Sequence, residues 1–154
     1  MDKSVYPTFD IQNLVANKSA NDLLNADRFK SYLNSNPHLG VVHNHTFYHL
    51  VYFTEGSGEQ VIDFVTFPVQ KGMIYFMRPG QVHKWYFNED PDGYIVNFSA
   101  TFFDQLFINS NFLDRFPFFD QVAAHQVLIL KEDTQQQVEQ FFEKILCKKN
   151  KKQS

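Results

Sequence analysis

The chain has six histidines in 154 residues, and four of them are spaced so that they can act together. His43, His45 and His49 share parity, so on one strand alternation places their imidazoles on the same face, with Phe47 among them. His83 shares parity with Trp85 and Phe87 further along. If both stretches line one barrel, the four rings converge. A neutral ring nitrogen donates well to zinc, iron, copper or nickel, so His43, His45, His49 and His83 form a candidate metal set. The same imidazoles can instead hydrogen-bond the hydroxyls or carboxylate of an organic ligand. Tyr75 and Trp85 extend that candidate ligand-binding set, Trp85 offering a flat face to a sugar or an aromatic ring or else serving as a core anchor. The plainer alternative is that one or two imidazoles are hydrogen-bonded wall residues and the others face solvent. Nucleophilic chemistry has little support: there is no G-x-S-x-G turn, and Cys147 sits on a late helical stretch away from the histidines. No catalytic residue is assigned.

The histidines need strands to hold them. From Val41 to Ser99, short runs rich in Val, Ile, Tyr, Phe and Thr are separated by turn formers every 8–12 residues or so, the pattern of an antiparallel sandwich or small barrel. Gly56-Ser57-Gly58 is expected to make a tight hairpin between Tyr48–Thr54 and Gln60–Phe67. Pro68 with Lys71-Gly72, then Arg78-Pro79-Gly80, then Glu89 to Gly93 are expected to close the following strands. So many connections leave no room for crossover helices, which disfavours a parallel sheet and a dinucleotide fold. Met73, Ile74, Phe76, Val96 and Phe98 are assigned to the core.

Residues 1–40 read as a polar, Asn-rich arm and lead-in, in which Phe29, Tyr32 and Leu33 fit either a short helix or a strand. Phe9 and its neighbours are candidates for a moving arm. The barrel is expected over 41–131, with a packing helix through Phe102, Phe103, Leu106 and Phe107 and a last strand at Val127–Leu130. Over 132–154, Asp133 or Thr134 can cap a helix whose apolar positions are Val138, Phe141, Phe142, Ile145 and Leu146, followed by a lysine-rich tail. That stripe either packs on its own barrel or meets a partner helix. Phe141, Ile145 and Leu146 are the candidate dimer contacts, giving a two-fold homodimer.

Composition narrows the classes further. With 44% hydrophobic and 17% aromatic residues, the chain can bury a core over most of its length. A formal net charge of −3 argues against binding a nucleic-acid backbone by itself. The longest apolar run, Met73 to Met77, is far short of the ~20 residues of a membrane helix. One cysteine cannot form an internal disulfide, which fits a reducing cytoplasm. No apolar signal core follows the amino end.

Two motifs carry a resemblance. His43-Asn44-His45, His49 and Gly56, then Gly72, Pro79, Gly80 and His83, resemble the paired motifs of the cupin superfamily, with His49 standing where metal-binding cupins usually have Glu and with Pro79 adjacent to Gly80. The longer stretch from His45 to Phe53, with Gly56-Ser57-Gly58, Ile62-Asp63-Phe64, Pro79 to His83 and Gly93 to Ser99, is similar to the amino-terminal sensor domain of AraC-type bacterial regulators. The resemblance implies a mainly β, cupin-like double-stranded barrel (jelly roll) with short helices and a C-terminal amphipathic helix. It implies a cytoplasmic domain that binds a small-molecule effector, a sugar or aromatic compound, and forms a homodimer, with no required cofactor. It further implies that DNA is bound only through a C-terminal helix-turn-helix domain, for which the residues after Cys147 are too few. The rival expectation is a metal-dependent cupin enzyme, an oxygenase or isomerase. A third is an interaction module whose barrel is filled by Phe and Tyr side chains.

Overall fold

The computed structural model describes residues 6–14, 24–102 and 126–153. The strands are β1 (Thr8–Phe9), β2 (Leu24–Arg28), β3 (Asn44–His45), β4 (Tyr48–Ile62), β5 (Val65–Val69), β6 (Met73–Met77), β7 (His83–Phe98) and β8 (Val127–Ile129). The helices are α1 (Phe29–Ser35) and α2 (Glu132–Gln153), with 3-10 turns at Ile11–Asn13 and Pro37–Gly40. The larger sheet runs β2-β7-β4-β6-β8, with β5 paired to the far half of β4. Apart from the short parallel pair β1 and β3, the pairings are antiparallel.

Two long strands make the barrel. The first half of β4 pairs with β6 and with the end of β7, and its second half pairs with β5 and with the start of β7. Between the halves the β4–β7 register slips at Phe53/Glu55, Glu55/Ser57 and Ser57/Gly58. Such bulges bend both strands together, so one sheet folds over onto itself as a double-stranded β-barrel. Gly58 and Gly93 sit at this bend with φ of 141° and 153°, and a Cβ on either would strike backbone of the facing strand.

The glycine segment is therefore not the expected hairpin, and Glu89 to Gly93 is not a connection. Both are strand interiors that face each other at the bend. The hairpin instead turns at Asp63-Phe64, both at positive φ, 47° and 72°, as a two-residue loop between β4 and β5 requires. Tertiary bonds hold it: the Asp63 carboxylate accepts from Val82 N at 3.0 Å and from Gln81 Nε2 at 3.0 Å, and Asp63 N donates to the Val82 carbonyl at 2.8 Å. The turns at Gly72 and at Pro79-Gly80 lie where the sequence puts them.

Alternation sorts the core into two layers. Val51, Phe53, Met73, Tyr75, Met77 and Ile95 point into the barrel, while Tyr52, Ile74, Phe76, Tyr94, Val96 and Phe98 form the outer layer under α2, with Phe142. Met73–Met77 is buried throughout because both of its faces are covered. Met73, Ile74, Phe76, Val96 and Phe98 are all buried as expected.

The amino-terminal region is more than an arm. β2 extends the sheet along β7 from Leu24↔Phe98 to Arg28↔Tyr94, and α1 sets Phe29 and Tyr32 into the barrel core. At the other end, α2 starts at Glu132, so Asp133 and Thr134 lie in its first turn, and its backbone stays helical to Gln153, through the stretch expected as a lysine-rich tail. The expected packing helix begins at Ala100, with Ser99 Oγ accepting from Phe102 N at 2.9 Å. Phe103, Leu106 and Phe107 lie outside the described residues.

Candidate functional site

The chain enters the barrel at His43, which forms an isolated bridge with His83 at the start of β7. His45 follows on β3 and His49 on β4, the two strands being interrupted at Thr46-Phe47. Side-chain parity survives this break: His43, His45, His49 and His83 are each 1% exposed. The four rings gather as expected.

Three of them converge more closely. His83 Nε2 lies 3.0 Å from His43 Nε2 and 3.2 Å from His45 Nε2, and each of these three residues offers a ligand atom within 4.8 Å of the others. Their tautomers follow from one contact. The Val41 carbonyl can only accept, so His43 Nδ1, 2.7 Å away, donates to it and leaves His43 Nε2 as a lone pair. His83 Nε2 then donates to that lone pair, which strips its Nδ1 of a proton. His45 Nε2 can approach the same N–H only as an acceptor, so its own proton sits on Nδ1. Both Nδ1 atoms, of His45 and of His83, lack a hydrogen-bond partner. Two lone pairs thus crowd one proton.

His49 belongs to a different network. Asn97 donates from Nδ2 to Tyr32 Oη at 3.3 Å and accepts from His49 Nδ1 at 2.7 Å. The other His49 nitrogen, Nε2, accepts from Tyr75 Oη at 2.8 Å, and Tyr75 Oη accepts from Trp85 Nε1 at 2.9 Å. Each polar atom in the relay has a partner of the right kind. His49 is therefore a satisfied wall residue, and the candidate metal set contracts to His43, His45 and His83. Strand parity placed His49 on the correct face but could not see Asn97 and Tyr75, which occupy both of its nitrogens.

Electrostatics agree. Burial lowers the His43 pKa against the upward pull of the Val41 carbonyl. Burial, together with the neighbouring imidazoles, holds His45 and His83 well below the ordinary histidine range. The Phe47 backbone opposes this at His45 without making a hydrogen bond of ordinary geometry to Nδ1. Burial brings His49 down to about 3, although its bond to Asn97 opposes the shift. Burial also holds the Tyr75 phenol well above its usual range, although the Trp85 N–H opposes it. The interior is neutral, and a His49 of this basicity is a fixed hydrogen-bonding group rather than a proton acceptor near pH 7.

Aromatic rings pack around the imidazoles. Trp85 meets His83 edge-on at 4.8 Å and Phe29 at 5.4 Å, and stacks obliquely on Phe87 at 6.1 Å. His45 stacks on Phe47 at 4.4 Å. Tyr75 and Trp85 thus join the histidines inside the barrel. Sequence reasoning missed Asn97, Tyr32 and Gln60; the available signal was an amide at an inward parity position among apolar neighbours, as in Tyr94-Ile95-Val96-Asn97-Phe98.

The candidate dimer residues separate. Ile145 and Leu146 are half-buried against the outer layer of their own sheet, beside Phe142, while Phe141 is 61% exposed. Phe9, the proposed arm residue, is held in β1 and packs edge-on to His38 at 4.9 Å and His43 at 5.5 Å.

Several solved structures resemble the chain. A conserved protein of unknown function from Streptococcus pyogenes matches with a TM-score of 0.39 at 19% identity, covering 50% of this chain and 65% of that one. An RmlC-like cupin from Shewanella frigidimarina matches with a TM-score of 0.35 at 20% identity, covering 49% and 63%. A variant of oxalate decarboxylase from Bacillus subtilis gives 0.36 at 12% identity, covering 60% and 30%. The chain spans less than two thirds of the length of each. No curated protein matches the sequence. The family described as the AraC-like ligand binding domain matches residues 35–154, which contain the barrel strands β3 to β8, all four clustered histidines and α2. The chain belongs to the AraC-like ligand binding domain family.

Proposed function

We propose that this domain senses a small molecule inside its barrel and so controls DNA binding by a helix-turn-helix domain of the same bacterial regulator in the cytoplasm. The observation that carries the reading is the cluster at His43, His45 and His83, where lone pairs crowd one proton and two Nδ1 atoms stay unpaired in a site shut off from water. Unpaired buried polar groups destabilise a fold, and a ligand that pairs with them recovers that loss on binding. Transmission has a short route. On β4, His49 and Val51 face the barrel, while Leu50 and Tyr52 face the layer beneath α2. A ligand that shifts β4 or β7 therefore moves the platform on which α2 rests, provided it binds one arrangement better than the other. The exposed Phe141 is the surface through which α2 meets a second copy, with Ile145 and Leu146 supporting it from below. Thermal shift against sugars and aromatic compounds tests the reading: a ligand that raises the melting temperature of the native protein but not of His83→Ala supports it, and flat curves throughout reject it.

A second reading follows from the same donor set. Three imidazole nitrogens within 4.8 Å of one another, one of them oriented by the Val41 carbonyl, fit a divalent transition metal. Such an ion would supply Lewis acidity. His43, His45 and His83 would hold it, and Trp85 and Phe47 would exclude water around it. Elemental analysis of untagged protein separates the readings, since stoichiometric metal that is lost in His45→Ala and kept in His49→Gln favours the second.

A further inference from the structure

Gln60 lies on the inner face of β4, directly across from Trp85 on β7 and two residues before Ile62, which pairs with His83. Its side chain is 0% exposed, yet neither Oε1 nor Nε2 has a hydrogen-bond partner. On this face, one step along the ladder, His83 carries the unpaired Nδ1 described above. A leucine would fill the same space without stranding two polar atoms, so the amide weakens the fold. The fold keeps, beside its indole, a donor and an acceptor held in one plane.

The surroundings limit what can pair with that amide. Among the described residues, the buried polar side chains are amides, imidazoles, phenols and an indole, with no Asp, Glu, Lys or Arg. An ionised ligand would bring in a charge that nothing there offsets. The wall is made of rings, with Trp85 opposite Gln60 and Phe67 paired to it from β5. A flat or compact ring fits such a wall better than a flexible chain does.

We propose that Gln60 determines the ligand class of the barrel: its carboxamide receives an uncharged ring whose edge carries a hydrogen-bond donor beside an acceptor, as a lactam or a ring vicinal diol does. This rests on the sensing reading and deepens it. The carboxamide offers Oε1 to the ligand's donor and Nε2 to its acceptor, closing a cyclic pair of hydrogen bonds. Neutral ligands are selected because, among the described residues, no buried Asp, Glu, Lys or Arg faces Gln60.

The chain has a single tryptophan, so the emission of Trp85 reports on occupancy beside Gln60. The probes are 2-pyridone for the lactam edge, cyclohexane-1,2-diol for the diol edge and benzoate as a charged ring of similar size. The native protein is expected to respond to one of the two neutral probes and not to benzoate, which also decides between the two edges. Gln60→Leu is expected to bind that probe at least tenfold more weakly, equivalent to about 1.4 kcal/mol, and to melt higher than the native protein when no probe is present. A lower melting temperature for Gln60→Leu without probe would show that the amide is structural and would overturn the proposal. So would unchanged affinity in Gln60→Leu, or benzoate binding best. If none of the probes and no member of a wider library binds the native protein, the sensing reading itself fails; intact binding in Gln60→Leu overturns only the role of Gln60.

Discussion

The hydroxyl of Tyr75 lies 2.8 Å from His49 Nε2 and donates to it, and this bond separates His49 from the three imidazoles that its spacing groups it with. Trp85 Nε1 donates to the same hydroxyl at 2.9 Å. Tyr75→Phe therefore strands two buried groups, the indole N–H and the His49 nitrogen, without changing the shape of the ring. The expected cost is about 2–6 kcal/mol of folding stability, at roughly 1–3 kcal/mol per stranded group. Urea titration of the variant beside the native protein measures it.

Folding stability is expected to depend on pH with a definite sign. An unfolded imidazole takes up its proton near pH 6.5, whereas burial keeps the folded His43, His45, His49 and His83 neutral to lower pH, His49 to about 3. The unfolded state then binds more protons, so stability is complete above about pH 7 and falls as pH drops below about 6.5. His49 alone contributes about 2 kcal/mol of loss between pH 6.5 and 5, at about 1.4 kcal/mol per unit. The other three act in the same direction. Urea midpoints between pH 4.5 and 8 check this, and His49→Gln should flatten the slope.

The bend between the barrel halves depends on glycine. A Cβ at Gly93 would collide with the Tyr52 carbonyl, and φ of 153° is a conformation side chains avoid. Gly93→Ala is expected to abolish soluble folded protein or to cost more than about 3 kcal/mol. Gly80→Ala meets nothing within 4 Å and carries only the strain of φ 86°, of order 1 kcal/mol. Comparing the two by circular dichroism and urea titration separates collision from strain.

Much of this arrangement is legible in the sequence, and the exceptions have physical causes. Alternation put His43, His45, His49 and His83 on inward faces because period 2 is a local property of strands. Placing the hairpin at Gly56-Ser57-Gly58 fails because positive φ serves a bulge as well as a turn, and spacing does not distinguish them. The actual turn at Asp63-Phe64 has no glycine, since bonds to Gln81 and Val82 stabilise it from a distant segment. β2 is equally hidden: Leu24-Asn25-Ala26-Asp27-Arg28 has neither β-branched nor aromatic residues, and its strand geometry comes from pairing with β7.

Helix α2 has two apolar neighbours with different roles. Phe142 is buried and stacks on Tyr94 at 5.2 Å and Tyr52 at 6.2 Å, so Phe142→Ala should cost about 3–5 kcal/mol in monomer stability. Phe141 is 61% exposed, and Phe141→Ser should leave the unfolding free energy within about 0.5 kcal/mol of native while weakening self-association. Sedimentation velocity over a concentration series reads the second effect; an unchanged distribution would remove Phe141 from the dimer surface.

The most direct test of ligand sensing is the melting temperature of the native protein and of His83→Ala across a library of small uncharged rings. A ligand present at a hundred times its Kd adds about 2.7 kcal/mol, a rise of about 5–10 °C for a domain of this size. The account predicts such a rise for at least one compound in the native protein and its loss in His83→Ala. A rise of equal size in both proteins, or none in either, would contradict it.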